Sequence, residues 1–481
     1  MSTAESRRAD GPTVSLIASQ DKYLPAGAGA SEVQAVLTVR TSGLHPAPQS
    51  AAEVIVIDCS GSMGWPASKI EAARRATAAA VAVLRDGTRF AVIQGTESAR
   101  TVYPATASLA VAGPDSRAEA IACVQRLNPG GGTAIGAWLT LARDLLAERP
   151  AEIRHVLLLT DGKNETEQPD SLRQVLAACR DSFNCDARGI GDGWDAKELN
   201  GIASRLHGTA DLVLRDADLE AEFTAMMHAS MARALADLRI RLTRLPGTAV
   251  RYLKQVFPTE WDLTADGRRI DERTTEYPTP AWADEARQYQ VCLTADPAHR
   301  PRDEDLLLAF VELVSDRSQL QLPEPVPVLV HWIDGHRPST VLNSVVDHFN
   351  RYRELGKAVA EAHEAYYAGD LPGAETSLDR VLRLAHLLHD RAMLTLLAGL
   401  LRSTGPDAGP ARLKEDIDPR QIDRLLLLSS HTTLAPGDHE PEGARSDPPG
   451  AYRICPRTGC GAPAPPGAAY CPECGRPLGD A

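Results

Sequence analysis

Asp58-Cys59-Ser60-Gly61-Ser62-Met63 follows directly on the β-branched run at 54–57. A D-x-S-x-S turn at the carboxyl end of a buried strand aims one carboxylate and two hydroxyls into the crevice where open α/β sheets bind ligands. They are hard oxygen ligands of the kind Mg²⁺ or Mn²⁺ accepts. Two other segments are expected at the same edge: Gly130-Gly131-Gly132-Thr133 opens a helix with a threonine, and Thr160-Asp161-Gly162 ends the apolar run at 157–159 with an acid. Five oxygen side chains, Asp58, Ser60, Ser62, Thr133 and Asp161, would then converge from three loops. Two carboxylates and three neutral hydroxyls leave an ion room for one more ligand, so an acidic side chain of a partner can complete the shell.

Readings of the same residues as a hydrolase fare poorly. After Gly132 stands Thr133 where a P-loop needs lysine, and Ser60 stands where a haloacid-dehalogenase-type phosphatase needs its second aspartate. No G-x-S-x-G elbow surrounds Ser62, and Tyr367 occupies the last position of what would be an H-E-x-x-H motif at His363-Glu364. A Mg²⁺-dependent phosphate-ester hydrolase using this crevice is therefore the alternative to a binding module, and no convincing nucleophile or base supports it. Gly189, Gly191 and Gly193 do not space as G-x-G-x-x-G, and Cys59 reads as a small packed thiol.

The second constellation is Cys455-x4-Cys460, ten intervening residues, then Cys471-x2-Cys474-Gly475. Two short cysteine pairs beside proline and glycine are the pattern of a structural Zn²⁺ held by four thiolates, and they resemble a zinc ribbon with a widened first pair. With every position filled by protein sulfur, such a site holds structure and activates no water. Cys59, Cys123, Cys179, Cys185 and Cys292 are scattered, so nine cysteines in all argue for reduced thiols plus one metal site, not for a disulfide framework. His386 and His389 lie one helical turn apart without a third ligand and read as a solvated face; Trp194 and Trp282 read as packing residues.

What must position these groups is a chain of 481 residues, length for about three domains. Between 52 and 235 short apolar runs alternate with amphipathic helical stretches, the pattern of a doubly wound, Rossmann-like α/β domain with a parallel sheet covered on both faces. On either side the period becomes two: Val33, Ala35, Leu37 and Val39 before it, Leu238, Ile240 and Leu242 after it. One β-sandwich is expected, with first strands in 12–48 and the rest in 236–335, interrupted by the α/β domain. Residues 341–428 read as a helical region holding one αα-hairpin, 429–452 as a flexible linker, and 453–479 as the zinc ribbon.

The D-x-S-x-S, then Thr, then Asp pattern resembles the von Willebrand factor A domain family and its metal-ion-dependent adhesion site, over about 52–235. The resemblance implies that Ser60, Ser62 and Thr133 are hydroxyl ligands, while Asp58 and Asp161 bind the ion directly or through water. Further likeness, at 252–258, 261–264, 277–278 and 282–285, around Ala368-Gly369-Asp370 and in the terminal cysteines, is to actinobacterial A-domain proteins. It implies a signalling or scaffolding role beside forkhead-associated-domain proteins, Ser/Thr kinases and phosphatases. Ser429-Ser430-His431-Thr432-Thr433 is expected where a kinase could reach a hydroxyl, although an ordinary linker is the commoner fate of such a stretch.

Charge narrows the partners. A net charge of -13 and a pI near 5.5 repel phosphate backbones, and Arg453, Arg457 and Arg476 are too few to make the ribbon a nucleic-acid reader. With no apolar leader at 1–12 and no long apolar run, a non-enzymatic, cytoplasmic interaction protein without membrane insertion is the expectation.

Overall fold

In the strand Ala51–Asp58, Val54 and Val56 pack into one hydrophobic core and Ile55 and Ile57 into another, because successive side chains of a strand leave on opposite faces. A strand apolar on both faces needs cover on both. The helices Ser68–Ala82, Pro114–Val124 and Leu219–Ala232 cover one face, and Ile135–Ala147, Pro169–Cys179 and Ala196–Arg205 cover the other. The computed structural model describes residues 11–27, 29–46, 51–148, 151–191, 193–298, 300–318, 320–333, 343–405 and 409–435, and in the tail 453–456, 460, 462–464, 470–471 and 474–478.

The sheet between these helices runs in the order Ala210–Val213, Asn184–Ile190, Ile153–Thr160, Ala51–Asp58, Arg89–Gly95, Ala99–Tyr103. The first five strands are parallel, and Ala99–Tyr103 and the short Ala110–Val111 pair antiparallel at the edge. Neighbouring strands Ala51–Asp58 and Ile153–Thr160 therefore end side by side, which brings Asp58 and Asp161 to one edge.

Strands from before and after this domain share sheets. Ser31–Ser42 pairs with Ala286–Ala295 along its length, and Tyr23–Pro25 lies parallel to Val326–Ile333. The result is a five-stranded sheet facing a six-stranded one across a core that includes Leu37, Trp282, Tyr289, Leu308 and Trp332. Trp282 is fully buried under the Arg287 guanidinium, 4.2 Å from its ring centre.

Among the described residues the helical region holds four helices, Ser344–Tyr367, Leu371–Leu388, Arg391–Leu400 and Pro419–Leu428, and its core takes in Val36 and Val256 of the five-stranded sheet. The run at 425–428 is thus the end of an amphipathic helix that bridges domains: Ile422 and Leu425 join the helical core, Leu427 joins the α/β core, and Arg424 pairs with Asp211 at 3.1 Å. His386 spends its ring nitrogen on the Thr404 carbonyl, and His389 is the left-handed cap that ends its helix. Among the described residues no helix is long and apolar enough to cross a membrane.

The expected linker at 429–452 does not begin at 429. Residues 429–435 lie against the sandwich and the helices: Thr432 N donates to the Pro258 carbonyl at 3.0 Å, the Tyr352 hydroxyl bonds Thr433 Oγ1 at 3.0 Å, and Ala435 N donates to Gln288 at 3.0 Å. Both threonine hydroxyls are spent inside the fold, the other on the Val256 carbonyl, so the free kinase substrate expected at 429–433 is not what the structure presents. The remainder of that linker, from 436, lies outside the described residues.

At the opposite end of the strands, where Glu53 lies about 17 Å along its strand from Asp58, sits a polar cluster in the sheet itself. His155 is fully buried between Glu53, 2.7 Å from Nδ1, and Asp186, 2.9 Å from Nε2. Ser230 donates to the other oxygen of Glu53 at 2.7 Å, which ties the helix Leu219–Ala232 to the sheet, and Thr209 donates twice to Asp186. Burial works against a charged imidazole, but the two carboxylates outweigh it and raise its pKa from 6.5 to about 9. A pKa raised in the folded state contributes stability that is complete below about 6.5 and is lost as pH rises through about 9. Thermal denaturation should therefore show a midpoint that drops between pH 7 and pH 9.5, and His155→Gln should lower stability at pH 7 by about 3–5 kcal/mol and flatten that drop. An unchanged slope in the variant would count against the protonated histidine.

Candidate functional site

Each loop at the carboxyl edge of the parallel strands is set by the strand before it and braced by its neighbour. Cys59 N donates to the Gly95 carbonyl, Gly61 N to Gly131 and Gly130 N to Cys59, all at 2.8–2.9 Å, so the serine loop and the glycine loop are stitched by backbone. The glycine loop is held in turn by Glu97, which accepts from Gly132 N at 3.0 Å. Glu167 caps the helix Ile135–Ala147 through Gly136 N and Ala137 N at 2.7 and 2.9 Å, where a carboxylate also meets the positive end of the helix dipole.

The five expected ligands do come together. Asp58 is fully buried, with Oδ1 accepting from Ser60 N at 2.8 Å and Oδ2 from the Thr160 hydroxyl at 2.7 Å. Ser60 Oγ lies 2.9 Å from Ser62 Oγ, and Ser62 Oγ donates to Asp161 Oδ1 at 2.7 Å. Thr133 joins them at Gly162: a methyl group placed on that glycine would lie 3.3 Å from Thr133 Oγ1, 3.7 Å from Ser62 Oγ and 4.0 Å from Asp58 Oδ2. A side chain at 162 would thus stand where three of the oxygens meet. Ser60, Thr133 and Asp161 are buried while Ser62 is exposed, so the cluster opens to solvent on one side only.

The electrostatics favour a cation. Burial raises the Asp58 carboxyl above the ordinary aspartate range, against hydrogen bonds from Ser60 and Thr160, and the nearby Asp161 pushes it the same way. Two carboxylates and three hydroxyls converging at a largely buried edge are a donor set that fits Mg²⁺ or Mn²⁺, which take hard oxygens and keep some positions for water or a guest ligand. Cys59, the one thiol in the loop, lies in the core beside Ile57 and Met63, and burial pushes it up to about 12. It is neither ligand nor nucleophile.

The sequence reading missed four participants: Thr160 as the hydrogen-bond donor to Asp58, Glu97 as the brace of the glycine loop, Glu167 as the brace of the helix Ile135–Ala147, and Lys69, whose ammonium lies 2.8 Å from Asp161 Oδ2. Thr160 could have been found from its place beside Asp161. Lys69 and Glu167 carry no local signal. Trp194, which read as a packing residue, is buried with its indole against Gly189 and its N–H on the Gly191 carbonyl.

The four tail cysteines also assemble. Their sulfurs all lie within 4.8 Å of one another, with Cys455 and Cys474 at 3.6 Å and Cys460 and Cys471 at 3.7 Å. Four thiolates around one Zn²⁺ stand about 3.8 Å apart, so the geometry fits a tetrahedral zinc site. The Cys474 thiol is brought down to about 7: burial raises it, but the Arg476 N–H and the neighbouring sulfurs outweigh that. The cluster is docked on the six-stranded sheet through Leu307 N on the Gly475 carbonyl at 2.8 Å and Arg476 on Glu304 at 3.1 Å. Tyr470 packs beside Leu245, Leu307 and Leu329.

The profile of the von Willebrand factor type A domain matches residues 52–212. The chain is 34% identical to a von Willebrand factor type A protein from Catenulispora acidiphila, over 89% of this chain and 99% of that one, with a TM-score of 0.80. It also shares its fold with the ArnB paralog VWA2 from Sulfolobus acidocaldarius, at 13% identity, 88% and 98% coverage and a TM-score of 0.55. No curated protein sequence matches. The chain belongs to the von Willebrand factor type A family, whose domains are typically protein-interaction modules.

For the tail, about one equivalent of zinc should co-purify with the full chain and be absent from Cys471→Ser, by elemental analysis. Zinc-free protein from a preparation that never met chelator would refute the assignment.

Proposed function

We propose that this chain is a non-enzymatic scaffold that binds a protein partner through a divalent ion, Mg²⁺ or Mn²⁺, held by Asp58, Ser60, Ser62, Thr133 and Asp161 as an intact metal-ion-dependent adhesion site. The observation that carries this reading is the convergence of those five side chains on one edge, four of them buried and Ser62 exposed to solvent. An ion there supplies a Lewis-acidic position for a guest oxygen. The chain's own groups fix the donor oxygens in place and keep water from all but one side, and the guest would be an Asp or Glu of the partner.

The rim suits a protein surface better than a small molecule. Trp65 is 84% exposed at the end of the serine loop, with its backbone N–H donating to the Ser62 carbonyl at 3.2 Å. An indole held beside a cation site offers the apolar contact that anchors protein interfaces. The cleft of about 690 Å³ between Arg154, Arg180, Asp266 and Glu276 is lined by residues from the far end of the strands and takes no part in this edge.

The tail is read as a zinc ribbon that stiffens the outer sheet. The likeness to A-domain proteins that accompany forkhead-associated domains, Ser/Thr kinases and phosphatases supports a cytoplasmic signalling setting for the partner.

A pull-down from lysate with the full chain tests the reading. A partner should be retained in Mg²⁺, released by EDTA, and lost with Asp161→Ala while the circular dichroism spectrum is unchanged. Retention that ignores both EDTA and Asp161→Ala would sink the proposal.

A further inference from the structure

We infer that Lys69 is a built-in counter-cation of the metal edge: its ammonium holds Asp161 and must let go before a divalent ion can use that carboxylate. The inference rests on the metal-site reading above and concerns what regulates it.

Three observations carry it. The Lys69 ammonium and Asp161 Oδ2 lie 2.8 Å apart, with the aspartate side chain fully buried and the lysine side chain 13% exposed. The other oxygen of Asp161 accepts from Ser62 Oγ at 2.7 Å, so both acceptor atoms of this carboxylate are engaged by the chain itself. The path of the lysine is also kept clear by a specific residue. Gly191 has φ +74, and a methyl group there would come within 2.6 Å of Lys69 Cε and 2.9 Å of Nζ. That positive φ already disfavours an L side chain, and the vacant Cβ position is where the lysine stem crosses to the aspartate.

The placement of Lys69 is fixed from the other side too. Its backbone N–H donates to the Pro66 carbonyl at 3.1 Å, at the start of the helix Ser68–Ala82, so the stem begins one turn away from the serine loop. A buried carboxylate with no cation nearby is costly, and a paired ammonium relieves that cost. A divalent ion and an ammonium on the same carboxylate repel each other at short range. The pair therefore stabilises the metal-free edge and weakens metal affinity, so a higher concentration of the ion is needed to load the site.

Mn²⁺ titration calorimetry on the full chain decides the matter, with wild type, Lys69→Met and Lys69→Gln compared. Removing the charge should tighten Mn²⁺ binding at least roughly tenfold, the equivalent of one charge-assisted hydrogen bond no longer competing. In EDTA the same variants should melt several degrees below wild type, and saturating Mn²⁺ should close the gap. Affinity equal to or weaker than wild type in both variants overturns the lysine's role and leaves the site standing. Mn²⁺ binding by none of the three proteins overturns the site reading, and this inference with it. Lys69→Gln keeps the test open if Lys69→Met does not fold.

Discussion

Two aspartates, Asp58 and Asp161, are fully buried at the ends of adjacent parallel strands, and like charges so placed cannot both remain ionised without compensation. Much of the surrounding architecture answers that constraint. Backbone and hydroxyl donors from Ser60, Thr160 and Ser62 take three of the four carboxylate oxygens, and the Lys69 ammonium takes the fourth. Those donors come from three segments of chain, the serine loop, the start of the helix Ser68–Ala82 and the end of the strand Ile153–Thr160, so the constraint at the edge is also what locks these segments to one another.

The domains around the α/β unit hold that edge in a fixed frame. The polypeptide enters and leaves it through strands of one sandwich, and the helix Pro419–Leu428 returns from the helical region to cover Asp211 and the neighbouring core. Beneath the edge, the Glu53–His155–Asp186 cluster ties three strands and the helix Leu219–Ala232. An edge braced from three directions holds the backbone of its loops in one arrangement.

Much of this was legible in the sequence, for physical reasons that also mark where legibility ended. Strands apolar on both faces, as in 54–57 and 157–159, declare a parallel sheet, and the oxygen ligands stand at strand ends where the chain must turn. The cysteines announce themselves by spacing. Glu53 and Asp186 did not, because a charge inside a strand reads as a break in the pattern until its partner on the next strand is known. In Thr248–Phe257 the charges of Arg251 and Lys254 interrupt the apolar pattern, so that strand carries no clear signal for the same reason. The polar stretch at 429–435 reads as linker because its partners, Tyr352 and Gln288, lie 81 and 147 positions away. Lys69 reaches Asp161 across 92 positions, and no local pattern encodes that.

The central claim, that this edge holds a divalent ion, is tested most directly by anomalous diffraction from crystals of the full chain grown in Mn²⁺. The account predicts one strong anomalous peak between Asp58, Ser60, Ser62, Thr133 and Asp161, about 2.1 Å from the nearest hydroxyl oxygens. A map with no peak at that edge, while manganese is found elsewhere on the same molecule, would contradict it.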